Sequence, residues 1–170
     1  MNQRHVTMHG HPLTLVGHPA KIGETAPDFT VINAKMQPVT IGDYSGKTIV
    51  ISSVPSLDTP VCDTETRKFN EMATRLGDNV VVLTISMDLP FAQARWCGAA
   101  GIDRVVTLSD HATASFGLAY GVLIDNLRLL ARSIFVIDPA GIIQSIQLVP
   151  EITSEPDYDA VLAAIHRSGG

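Results

Sequence analysis

Two cysteines, Cys62 and Cys97, are the side chains of this 170-residue chain best suited to covalent chemistry. Cys62 closes the stretch Pro55-Ser56-Leu57-Asp58-Thr59-Pro60-Val61-Cys62, which joins a β-branched run to a segment with helical spacing. Thr59 has the chemistry of a helix N-cap, and Pro60 suits the first helical position, where proline's fixed φ and missing N–H cost nothing. Cys62 then falls in the opening turn. There the unpaired N–H groups and the positive end of the helix dipole favour a thiolate, the reactive form. Cys97 is predicted at the far end of a second short helix, at the negative pole, where a thiolate is not favoured. An exposed thiolate attacks a peroxide oxygen to give a sulfenic acid, and a neighbouring thiol condenses with that acid to a disulfide. Two thiols of unequal acidity therefore make up a reductive half-cycle. The bland alternative, two inert cysteines buried as small hydrophobes, stands beside this reading.

The elements that must position the thiols follow from periodicity. Residues 48–54 (Thr-Ile-Val-Ile-Ser-Ser-Val) and 80–85 (Val-Val-Val-Leu-Thr-Ile) are apolar on nearly every position, as expected of central strands covered on both faces, although Ser52 and Ser53 blur the first. Between them Phe69, Met72, Ala73 and Leu76 recur at helical spacing, and Gly77 ends the run. Strand, helix, strand is the signature of a parallel crossover. Asp88 is expected to cap a helix over 89–96, with Cys97 at its end and Gly98 as its stop. A third strand over 104–108, a brief helix over 111–116, a hairpin of 131–137 with 142–149 around Asp138-Pro139-Ala140-Gly141, and an amphipathic helix over 157–166 complete the reading. At the N-terminus, 6–8 and 13–16 flank His9-Gly10-His11-Pro12 as a small hairpin. His5, His9 and His11 alternate along it, and an exposed polar face is a commoner outcome of that spacing than a metal site.

One domain with a real core fits this length. The formal net charge of −5 argues against a nucleic-acid or anionic-membrane surface, so small molecules or proteins are the expected partners. No twenty-residue apolar run exists, and residues 1–19 lack the apolar core of a signal peptide, so the cytoplasm is the expected compartment. A standing disulfide is unexpected there, and two separated cysteines do not make a zinc cluster. Met87, Leu89, Pro90, Phe91 and Trp96 lie near Cys97 in sequence, and they are either a wall that admits alkyl hydroperoxides or plain helix packing.

Pro55-x-x-x-Thr59-x-x-Cys62 resembles the active-site signature of the peroxiredoxins, and Gly23-x-x-Ala26-Pro27-Asp28-Phe29 is similar to their N-terminal motif. The signature octapeptide, Asp88-Leu89-Pro90-Phe91-Ala92-Gln93, Arg95-Trp96-Cys97-Gly98 and Glu155-Pro156-Asp157-Tyr158 resemble more narrowly the thiol peroxidase branch, atypical two-cysteine enzymes. The likeness spans nearly the whole chain. It implies an α/β thioredoxin-like fold, a central mixed β-sheet flanked by helices with an N-terminal β-hairpin. It also implies that Cys62 is peroxidatic and Cys97 resolving within one subunit, that Thr59 orients the peroxide and Cys62, that Pro55 shields the thiolate, and that Arg132 stabilises the thiolate and polarises the peroxide. Hydrogen peroxide and alkyl hydroperoxides are the implied substrates, thioredoxin the reductant, a homodimer the assembly, and no cofactor or metal is called for. Helix ends are expected to unwind when the two sulfurs join, because a disulfide needs Cα atoms within about 7 Å. A thioredoxin-type oxidoreductase is the nearest rival, but position 59 is threonine and position 65 glutamate where Cys-x-x-Cys would need a second cysteine. A non-enzymatic binding module on the same scaffold is the other.

Overall fold

In the computed structural model, which describes residues 4–169, β1 (Arg4–Met8) and β2 (His11–Val16) form the expected hairpin, Val6 opposite Leu13. His9 and Gly10 make its turn at φ 51 and 81, so His9 leaves the strand and the three histidines share no face. The chain continues through β3 (Thr30–Ile32), β4 (Pro38–Thr40), a 3₁₀ turn over Ile41–Tyr44, and β5 (Thr48–Ser53). Then come α1 (Pro60–Ala73), β6 (Val80–Ser86), α2 (Pro90–Ala100), β7 (Val106–Ser109) and α3 (Ser115–Tyr120). The two-residue strands β8 (Leu123–Ile124) and β9 (Leu129–Leu130) precede β10 (Ser133–Ile137), β11 (Ile143–Leu148) and α4 (Tyr158–Arg167).

The main sheet runs β11-β10-β5-β6-β7-β3-β4, parallel across β5-β6-β7 and antiparallel elsewhere. A smaller antiparallel sheet runs β1-β2-β8-β9. Every residue of β5 and β10 is buried, as the apolar run over 48–54 predicts for a strand covered on both faces. Alternation along the pleat divides the core in two. Val50, Val82, Ile134 and Val136 meet Phe69 of α1 and Val161 and Ile165 of α4 on one face. Ile49, Ile51, Leu83, Ile85 and Phe135 meet Phe116 and Tyr120 of α3 and Phe29 on the other. Ser52 and Ser53 interrupt the hydrophobic run without breaking the strand because each hydroxyl has a buried partner. Ser52 Oγ donates to Glu65 Oε1 (3.0 Å), and Ser53 Oγ reaches the Ala131 carbonyl (2.8 Å) and Ser133 Oγ.

Three expectations need correction. Asp88 does not cap α2: Leu89 holds the N-cap position, because Pro90 at the first helical residue starts the helix too late for Asp88 to serve it. Gly98 does not stop α2, which runs on to Ala100 and closes at Gly101, whose φ of 70 is the left-handed cap that glycine tolerates. The brief helix is α3, starting at Ser115 rather than residue 111, because the buried Asp110 carboxylate accepts from the N–H groups of Phe116 (2.9 Å) and Gly117 (2.8 Å). Among the described residues, no helix is long and apolar enough to cross a membrane.

Candidate active site

β5 and α1 meet at the C-terminal edge of the parallel strands, and the first turn of α1 carries Cys62 there. The buried residues of α1 are Cys62, Glu65, Thr66 and Phe69, at the three- and four-residue spacing of one helical face. Cys62 is wholly buried, not exposed as expected, since Val54, Leu57 and Trp96 pack around it. Its sulfur accepts a hydrogen bond from Arg132 Nη2 at 3.2 Å. Arg132, 1 % exposed, directs its other donors to the Ile152 carbonyl (Nε, 2.9 Å) and Glu65 Oε2 (Nη1). Its backbone is held just as firmly, since the Ala131 N–H donates to Val122 O (2.8 Å) and the Val149 N–H to Arg132 O (3.0 Å). Burial alone would pull the Arg132 guanidinium down, but the Cys62 sulfur and Glu65 outweigh it, and its pKa is raised. Burial pushes the Glu65 carboxyl up, against the pull of Arg132 and Ser52 in the other direction. A fixed cation bonded to a sulfur is an arrangement that favours negative charge on that sulfur.

Glu65 is a site residue that spacing could have revealed, an acid three positions from Cys62 on the face that otherwise buries apolar and small groups. Its partner lies 67 residues away in sequence, which is why the pairing itself is invisible there. Asp88 is a second. Its carboxylate accepts from Ser56 Oγ (2.7 Å), the Leu57 N–H (2.9 Å) and Ser86 Oγ (2.7 Å), tying the 55–57 loop to the end of β6. Thr59 occupies the N-cap position of α1, but its hydroxyl caps nothing. It donates to the Ser56 carbonyl at 2.9 Å, while the Thr59 carbonyl accepts from the Asp63 N–H. Pro55, Thr59 and Arg132 line one cleft of about 670 Å³ with Met8, Leu129 and Ile152, and Cys62, which is not part of that lining, is reached from it through the Arg132 guanidinium. The apolar wall is therefore built from β1, β9 and the loop after β11, not from the residues near Cys97. Leu89 and Phe91 are 51 % and 69 % exposed, and Met87 packs against the other core.

Cys97 is half-buried in the last turn of α2, its sulfur 3.6 Å from Thr107 Oγ1, and burial pushes its thiol up despite that contact. For Cys97 the larger cause of that rise is desolvation, where the sequence points to the helix pole. No bond joins the cysteines. Asp63 does not oppose Cys62, because its carboxylate is taken by Arg67 Nε and by Trp96 Nε1 (3.0 Å), and Arg67 holds it below the usual carboxylate range.

The pattern of the redoxins matches residues 21–162, so the chain belongs to the Redoxin family. The particular branch is given by close relatives. A thiol peroxidase of Listeria monocytogenes is 54 % identical over 163 residues, 96 % of this chain and 98 % of the relative. One of Bacillus subtilis is 54 % identical over 159 residues, 94 % and 95 % of the two chains. Among solved structures, a peroxiredoxin-like protein from Aquifex aeolicus superposes with a TM-score of 0.91 at 44 % identity, covering 97 % of each chain. The fold is thioredoxin-like, a mixed sheet flanked by helices with an N-terminal hairpin, and the protein is a thiol-dependent peroxidase of the peroxiredoxin type.

Proposed function

We propose that Cys62 is the peroxidatic residue, reducing hydrogen peroxide and alkyl hydroperoxides that arrive through the cleft of Pro55, Thr59 and Arg132. The single observation carrying this reading is the Arg132 Nη2 donor on a buried cysteine sulfur at a helix N-terminus. The thiolate attacks the terminal peroxide oxygen, the O–O bond breaks, and the leaving oxygen takes a proton as water or alcohol. A guanidinium presents fork donors, so Arg132 can hold the sulfur and the developing negative charge on oxygen together. Thr59, whose hydroxyl lies on the same cleft, orients the peroxide and the sulfur, and Pro55 keeps bulk water from them. The apolar lining from Met8, Leu129 and Ile152 supports acceptance of alkyl hydroperoxides.

The Cys62 sulfenic acid is resolved by Cys97 of the same subunit, and thioredoxin reduces the resulting disulfide. Two unpaired thiols fit the cytoplasm, a reducing compartment. Family likeness supports a homodimer, and one domain spanning the chain is the unit that acts. Thioredoxin-coupled turnover of wild type, Cys62→Ser and Cys97→Ser tests the scheme. Cys62→Ser abolishes peroxide consumption, and Cys97→Ser consumes about one equivalent with little recycling. Full turnover by Cys62→Ser would refute the reading.

A further inference from the structure

We propose that Glu151 is a positioning residue for peroxide selectivity: its carboxylate latches the tip of the N-terminal hairpin beside the cleft, and that latch sets how fast a bulky organic hydroperoxide, relative to hydrogen peroxide, oxidises Cys62. The inference rests on the reading that peroxides reach Cys62 through the cleft of Pro55, Thr59 and Arg132. The lining of that cleft has unequal sources. Pro55, Thr59 and Val61 belong to the loop and first turn that carry Cys62, and Arg132 is held by buried bonds. Met8 and His9 come instead from the hairpin tip, and Ile152 and Thr153 from the segment after β11.

The hairpin is secured at its base by packing, with Val6 and Leu15 buried and β2 paired to β8. Its tip lacks such packing, since His9 and Gly10 are exposed. Glu151 supplies the anchorage. Its Oε1 accepts from Thr7 Oγ1 (3.0 Å) and the Gly10 N–H (2.9 Å). Its Oε2 accepts from the His9 N–H (3.1 Å), the Thr153 N–H (3.1 Å) and Thr153 Oγ1 (2.7 Å). Among the described residues, positions 8–13 make no hydrogen bond to the body of the protein except those two N–H bonds to Glu151. One carboxylate therefore ties the Met8–His9 part of the lining to the Ile152–Thr153 part. His9 also holds a left-handed backbone, φ 51, uncommon for a residue with a Cβ, and a charged acceptor for its N–H and that of Gly10 favours that turn. Glu151 is not itself part of the lining, so it touches no substrate and acts through the residues it holds. Hydrogen peroxide has no apolar part to lay against Met8 or Ile152. A cumyl group does, and the energy of that remote contact is available to the reaction only while the lining is held in place.

The test measures the second-order rate at which hydrogen peroxide and cumene hydroperoxide oxidise the pre-reduced full-length protein, so no reductant enters. Acid-quenched samples are read by intact mass after alkylation of the remaining thiols. Glu151→Ala is expected to slow oxidation by cumene hydroperoxide about tenfold and to leave the hydrogen peroxide rate within about twofold of wild type. Glu151→Gln keeps one acceptor oxygen for one set of donors, so its selectivity falls between the two. Met8→Ala slows the cumene hydroperoxide reaction as well, and adding Glu151→Ala to it costs less than the two single losses multiplied, because the latch acts through a side chain already removed. A wild type oxidised by hydrogen peroxide but not by cumene hydroperoxide overturns both the reading of the cleft and this inference. Glu151 variants that slow both peroxides equally or neither, or losses that multiply in full in the double variant, overturn the inference alone.

Discussion

Replacing Arg132 with methionine removes the cation but keeps an apolar stem, leaving the Glu65 carboxyl buried with Ser52 Oγ as its remaining donor. Both ends of the pair are almost wholly buried, with side chains 2 % and 0 % exposed, so water cannot replace the lost partner. Removing one partner of such a pair costs about 3–5 kcal/mol, and the orphaned Ile152 carbonyl adds about 1 kcal/mol. Against a typical total stability of about 5–15 kcal/mol, that is a large share. With a urea m-value of about 2 kcal/mol/M, the unfolding midpoint of Arg132→Met falls by about 2 M at pH 8. The loss depends on pH in a defined direction. Burial already raises the Glu65 pKa in the folded protein, and without Arg132 the chief opposing influence is gone. An acid whose folded pKa lies above its unfolded value contributes stability below the unfolded value, near 4.5, and loses it as pH rises toward the folded value. The deficit of Arg132→Met is therefore smaller at pH 5 than at pH 8, and adding Glu65→Leu recovers most of it. Urea titrations of wild type, the single and the double variant at both pH values check this. A single variant within 1 kcal/mol of wild type at pH 8, with unchanged m, would show that no charge is left stranded.

Further outcomes follow from the same contacts. Phe69→Ala removes the side chain that joins α1 to α4 on their shared face of the sheet, and is expected to lower stability by about 3–5 kcal/mol in calorimetry or urea titration. Asp88→Asn leaves one acceptor where three donors converge. It is expected to cost about 1–3 kcal/mol and to speed hydrogen exchange at the Leu57 amide, with no change at β10. Glu151 accepts from Thr153 and from the His9 and Gly10 N–H groups at the hairpin turn, which holds its pKa down at about 2. Because the folded pKa is depressed from 4.5, its contribution is present above pH 4.5 and is lost as pH falls toward 2. Glu151→Gln should flatten that part of the acid unfolding curve, and an unchanged curve would exclude this carboxylate as its source.

The features legible in the sequence are those whose physics is local. Unbroken apolar runs announce the central strands, since strands covered on both faces alternate with nothing polar. Pro60 after Thr59 marks where α1 begins, which alone puts Cys62 at a helix N-terminus. Local reading failed where partners are distant in the chain. Gly98 looked like a stop because glycine commonly ends helices, yet the left-handed cap fell to Gly101. Asp88 looked like a cap, but its carboxylate was claimed by the loop beside Cys62. The cleft joins residues from positions 8, 55, 129 and 152, which only the packing of hairpin against sheet can gather. Only family likeness points to Arg132, and its position against Cys62 is set by β10 pairing with β5, Ser133 opposite Ser53. Sequence thus determined which sulfur sits at a helix start and which strands are covered on both faces. Tertiary structure decided what surrounds that sulfur, because one guanidinium, one carboxylate and one thiol meet only when strands far apart in the chain come into register.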